Sequence, residues 1–151
     1  MGPKIFTIGA VLEHKAQYGS LREKIAAESA ARRARYSEFS RAFELAHKAG
    51  LEAGRNAMPT PMLVMAGDKV IEHVSEGACG FAWVRVRPAT SSFARWLVKN
   101  KLAHKAYRGG VDIWISDHNQ SVTRKEAHAR AMATILNREL GIDCYANSRL
   151  D

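Results

Sequence analysis

Between Gly77 and Gly110 the chain has no Asp or Glu, against seven Lys and Arg: Arg85, Arg87, Arg95, Lys99, Lys101, Lys105 and Arg108. Long apolar runs are also missing. None approaches the roughly 20 residues needed to span a bilayer, so no membrane partner is expected. The opening MGPKIFTIGAVLEHK carries one short apolar patch ending in Glu13 and His14, without a small-residue cleavage pattern, and is not read as a signal peptide. Only two cysteines occur, Cys79 and Cys144, far apart on expected strands. Both are read as reduced, buried thiols. Neither Cys-x-x-Cys nor His-x-x-x-His occurs, and His14, His47, His73, His104, His118 and His128 show no metal-ligand spacing. No metal or cofactor is therefore expected. Repeats and low-complexity tracts are absent.

The 151 residues that are present are 46% apolar and 25% charged, enough for one domain with an appended element. The net charge of +8 favours an anionic partner: nucleic acid, a phosphorylated ligand or an acidic protein. A short strand is expected over Lys4–Leu12. Ser20-Leu21-Arg22-Glu23 then fits a capping box opening a long helix that runs to Gly50 or Gly54. Ile25, Ser29, Arg32, Tyr36, Phe39, Phe43 and Ala46 recur at helical steps. The aromatic half of that seam (Tyr36, Phe39, Phe43) reads as a docking surface. Arg32, Arg33 and Arg35 read as solvated or facing another molecule.

Met58-Pro59-Thr60-Pro61 marks a boundary, giving an arm over 1–58 and an α+β domain over 59–151. Met62–Met65 and Lys69–Val74 read as a hairpin around Ala66-Gly67-Asp68. A strand over Gly80–Arg87 follows, then a helix from Ser92 to about Lys101 capped by Thr90 or Ser91. A strand is expected over Val111–Ser116 and another over Ile142–Ser148. The helix between them starts at Ser121 or at a Thr123/Glu126 capping box, has an apolar stripe of Ala127, Ala131, Met132, Ile135, Leu136 and Leu140, and ends at Gly141. The order β-β-β-α-β-α-β predicts a mixed sheet with right-handed crossovers, an antiparallel edge hairpin and two packed helices.

Strand alternation puts Phe81, Trp83, Arg85 and Arg87 opposite Ala82, Val84 and Val86. It likewise puts Trp114 and Tyr145 opposite aliphatic residues. Aromatics interleaved with arginine on a sheet form a stacking platform for single-stranded nucleic acid when open. When closed, the same residues form a second core layer under the long helix. Covering is the expected arrangement, because large exposed apolar patches are uncommon on monomers.

Nucleophile patterns are poor. Cys79 has no neighbouring His to activate it. Asp117-His118 at a strand end reads as a turn rather than an acid–base pair, and His128 as a polar neighbour of the last helix's stripe. Gly109-Gly110 also reads as a turn.

Four segments carry a resemblance: Gly77–Val84 (GACGFAWV), Tyr107–Ile115 (YRGGVDIWI), Gln120–Ala127 (QSVTRKEA) and Ser148–Asp151 (SRLD). Together they resemble a family of small uncharacterised proteins encoded by tailed bacteriophages. The resemblance spans about Pro59–Asp151 and implies action in a host bacterial cytoplasm or a virion. The reading is of a non-catalytic virion or assembly component, docking through its helix to other subunits and contacting an anionic partner through the seven basic residues with Trp83 and Trp114. A DNA- or RNA-binding accessory protein is the first alternative. A nucleotide or small-ligand binder acting against host defence is the second, and an enzyme using Cys79 or Asp117 with His118 comes last.

Overall fold

The computed structural model describes residues 8–151. The start of the expected Lys4–Leu12 strand lies outside the described residues. Its remainder is helical, because α1 spans Ile8–Asn56. Ser20 is therefore an interior helical residue rather than a cap. Leu12, Glu13, Lys15, Ala16 and Gln17 are strong helix formers, and the single Gly19 costs only about 1 kcal/mol against alanine. The helix stops where Pro59 approaches, two residues beyond Gly54. Among the described residues no helix is long and apolar enough to cross a membrane.

The chain divides into two compact units, one ending at Glu38 and one starting at Phe39. The first contributes residues 8–38 of α1, with Val11, Leu12, Tyr18, Leu21 and Ile25 exposed along it. The second starts twenty residues upstream of the Pro59 boundary expected from sequence, since the last turns of α1 pack inside it.

That second unit is α+β. Its further elements are β1 (Met62–Ala66), β2 (Lys69–Val74), β3 (Gly80–Arg87), α2 (Ser92–Lys99), β4 (His104–Lys105), β5 (Val111–Trp114), α3 (Val122–Leu140) and β6 (Asp143–Leu150). The mixed sheet is corrected. β1 and β2 form a separate antiparallel hairpin, and the main sheet has the order β4-β5-β3-β6. Every pairing in it is antiparallel. Val86 faces Val111 across the β3–β5 pair, so the segment joining them leaves and re-enters at the same end of the sheet. The intervening α2 and β4 are thus an excursion, not a crossover. Only α3 crosses over, joining β5 to β6 with β3 between them. A helix between two strands implies a parallel neighbour only if those strands are adjacent, and here neither pair is both adjacent and parallel.

Registers Val84↔Ile113 and Val84↔Ala146 place the aliphatic residues of three strands on one face. Ala82, Val84, Val86, Val111, Ile113 and Cys144 are all buried there. α3 covers that face, and its Ala133 carbonyl accepts the Cys144 thiol hydrogen at 3.3 Å. The stripe α3 buries is rotated from the expected one. It comprises Val122, Lys125, His128, Ala129, Met132, Ala133 and Leu136. Counting only apolar residues missed Lys125, whose Nζ donates to the Gly80 carbonyl, and His128. The Thr123/Glu126 box is not formed. Ser121 is the N-cap position, and its hydroxyl donates to the Glu76 carbonyl instead. In α2 the Ser91 hydroxyl accepts from the Ala94 amide at 3.2 Å, as capping chemistry requires.

Phe39 of α1 meets Phe93 and Trp96 of α2 edge-on, at 5.2 and 5.8 Å between centroids. Phe43 meets Trp96 at 6.3 Å. Phe39 and Phe43 thus pack on α2 of their own chain. Phe39 is buried and Phe43 half-buried. Phe39→Ala is expected to destabilise the fold by about 3–5 kcal/mol and Phe43→Ala by distinctly less, measured by urea unfolding. Equal losses would contradict this packing.

Candidate functional site

With α3 on the aliphatic face, alternation and register put Phe81, Trp83, Arg85, Arg87, Asp112, Trp114, Tyr145 and Arg149 on the opposite face of the sheet. The covering expected from the long helix is corrected: Phe39 and Phe43 meet α2, and Trp114 stays 43% and Tyr145 37% exposed. Trp83 and Trp114 are cross-strand partners and stack at 4.8 Å with 29° between planes. Phe81 meets Trp114 edge-on at 6.1 Å, and the Arg149 guanidinium lies 5.2 Å from the Phe81 ring. The Arg87 guanidinium lies 5.7 Å from the Tyr145 ring. Phe81, Trp114 and Trp83 thus form a row with Arg149 at its Phe81 end, while Tyr145, opposite Arg85, carries Arg87 over its ring.

The seven basic residues are not gathered on this face. Arg85 is on it but is held by Asp112 through two hydrogen bonds of 2.8 Å. That bidentate pair holds the guanidinium above its ordinary range, and it neutralises Arg85 from just outside the acid-free stretch. Arg87 is exposed beside Tyr145. Arg95 and Lys99 lie on α2, and Lys101 follows that helix with φ 59°. Lys105 is in the edge strand β4, with Arg108 in the turn after it, and both are exposed. Tyr145, which alternation put on this face, was not counted among the expected binding residues, and neither was Arg149, the cross-strand partner of Phe81. Tyr36 is half-buried and belongs to the first compact unit.

A second group of side chains lies in the helical layer. His128 of α3 is fully buried, and its Nδ1 lies 3.0 Å from Nε2 of His118. Its Nε2 is buried with no hydrogen-bond partner among the described residues. His47 of α1 lies 5.2 Å from the His128 ring and stacks parallel on Phe43 at 6.5 Å. One donor atom each from His47, Asp117 and His128 lie within 4.8 Å of one another. Burial, helped by neighbouring His47, pushes His128 down to about 4. His118 is lowered as well, chiefly by burial. Sequence spacing gave no sign of this group, since its members come from α1, the β5–α3 loop and α3. The reading of His128 as a polar neighbour of the apolar stripe is corrected, because it is a member of the buried stripe itself. Glycines make the space: an added Cβ at Gly50 would overlap the His128 ring, and one at Gly54 would overlap the His118 ring. Those glycines, expected to end the helix, sit inside it.

The two cysteines differ. Cys144 is buried, and burial pushes its thiol up to about 11. Cys79 is exposed, so its expected burial is corrected. It sits in an isolated bridge to Ser121 rather than inside a strand. Comparison with models of protein families, with curated proteins and with solved structures finds no match for this chain. Iodoacetamide should modify one thiol per native chain at neutral pH, Cys79, and reach Cys144 only after unfolding. Mass spectrometry of the native reaction tests this, and labelling of Cys144 at a comparable rate would contradict it.

Proposed function

We propose that this protein binds single-stranded nucleic acid on the open face of its antiparallel sheet. The observation that carries the reading is the Trp83–Trp114 stack with Trp114 exposed, Phe81 edge-on to it under Arg149, and the exposed Tyr145 on the same face under Arg87. Every base has a π-face, and stacking on an aromatic side chain is worth about 1–3 kcal/mol per base. The net charge of +8 supplies the attraction to phosphates that any such contact needs. Arg85, locked to Asp112, orders the platform, while the exposed Arg87 and Arg149 are the cations to meet the backbone. Following the resemblance to tailed-bacteriophage proteins, the setting we propose is an infected bacterial cytoplasm or a virion.

Titration with a labelled homopolymeric deoxyoligonucleotide should quench tryptophan fluorescence, with affinity falling steeply as salt rises. Single strands should be preferred over duplex. Trp114→Ala should weaken binding by about 1–3 kcal/mol. Arg87→Glu combined with Arg149→Glu should weaken it further and flatten the salt dependence. No binding at low salt, or full binding by Trp114→Ala, would reject the platform.

A second reading, assembly through the N-terminal helix, is favoured by one observation. Val11, His14, Tyr18, Leu21 and Ile25 are exposed and alternate at three- and four-residue steps. That is the heptad seam on which two copies of one helix can pair. Light scattering on the full chain should find an oligomer that Leu21→Glu dissociates. A monomer at every concentration would reject it.

A further inference from the structure

We propose that His47, Asp117 and His128 bind one divalent transition-metal ion, with zinc the best match. The site lies in the helical layer, across the sheet from Trp83 and Trp114, and does not depend on the nucleic-acid reading. Two imidazoles and a carboxylate are the donor set that zinc and its first-row neighbours prefer, whereas magnesium and calcium take oxygen ligands. Bonds of about 2.0–2.1 Å to a tetrahedral ion put donor atoms about 3.4 Å apart. The three donor atoms already lie within 4.8 Å of one another, so side-chain adjustment on the order of 1 Å closes the site. Three protein donors leave a tetrahedral ion one position for water.

An independent observation points the same way. His128 is 0% exposed, yet among the described residues its Nε2 has no hydrogen-bond partner. Leaving a buried polar nitrogen unpaired is unfavourable, and most such atoms in folded proteins are satisfied. The other ring nitrogen explains the orientation. With the proton on Nδ1, His128 donates to His118 Nε2 across 3.0 Å and aims the lone pair of its own Nε2 at a ligand. Ligating histidines usually donate their second ring N–H to an outer acceptor, commonly a carboxylate, carbonyl or water; here the His118 ring takes that place, which makes it a positioning residue rather than a ligand. His47 is steadied by its parallel stacking on Phe43. Gly50 and Gly54 keep the α1 surface free of the side chains that would fill the space these rings occupy.

The test uses the full-length, untagged chain, stripped with a chelator and desalted. Zinc chloride titrated against a competing chromophoric chelator should bind at one ion per chain and raise the thermal midpoint. Cobalt(II) in its place should give a visible ligand-field band of four- or five-coordinate character. His47→Ala and Asp117→Asn replace half-buried residues and should stay folded by circular dichroism. Each should weaken zinc binding by about 100-fold or more, since losing an outer partner alone typically removes 10–100-fold. The cobalt band should disappear in both. Failure of the wild-type chain to bind zinc would overturn the proposal. So would stoichiometric binding that survives both substitutions with the cobalt band unchanged.

Discussion

Two imidazole rings pressed against a side-chain-free strip of α1 set the arrangement of the second compact unit. Gly50 and Gly54 lie one helical turn apart, and a Cβ at either would overlap the ring of His128 or His118. Their absence lets the end of α1 close on α3 and on the loop before it. Arg124 completes the contact. Its guanidinium donates to the carbonyls of Gly54, Arg55 and Ala57 and to the Glu76 carboxylate. Those carbonyls are among the acceptors a helix terminus leaves unsatisfied. One side chain therefore joins the end of α1, the turn before β3 and the first turn of α3.

The character of the sheet follows from that closure. With α3 packed over the face that carries Val84, Val86, Ile113 and Cys144, Trp114 and Tyr145 on the other face stay exposed. The rings are ordered by their own contacts. Trp83 and Trp114 stack, Arg85 is fixed by Asp112, and Arg149 and Arg87 lie over the flanking rings. A platform ordered before its ligand arrives loses little rotamer freedom on binding, which is the physical advantage of preorganisation. The same layer division puts the histidine group and the aromatic row on opposite sides of one sheet, so that each is open to test without disturbing the other.

Charge is distributed differently from what the acid-free stretch suggested. Freedom from Asp and Glu along thirty-odd consecutive residues says nothing about acids that a neighbouring strand brings in. Asp112, two positions past that stretch, pairs with Arg85 across 27 positions of sequence. Apart from Arg87 at the end of β3, the remaining cations are dispersed over α2, the residues after it, β4 and the following turn, where they add to the general positive field rather than to one patch.

The sequence alone determined the α+β class, the positions of β1, β2, β3 and α2, and which residues of β3, β5 and β6 share a face. These follow from period, capping and turn chemistry, which act between near neighbours in the chain. It did not determine the strand order or what covers each face. Phe39 fits a sheet or a helix equally well by its spacing, and only the geometry of α2 assigns it to Phe93 and Trp96. Gly50 and Gly54 looked like helix ends because glycine serves both for termination and for close approach. His47 and His128 look unrelated in the sequence, and Arg124 meets Gly54 across 70 positions. Such meetings depend on how whole elements pack, with volume and buried polar groups settled jointly across the layer, and no local pattern encodes that.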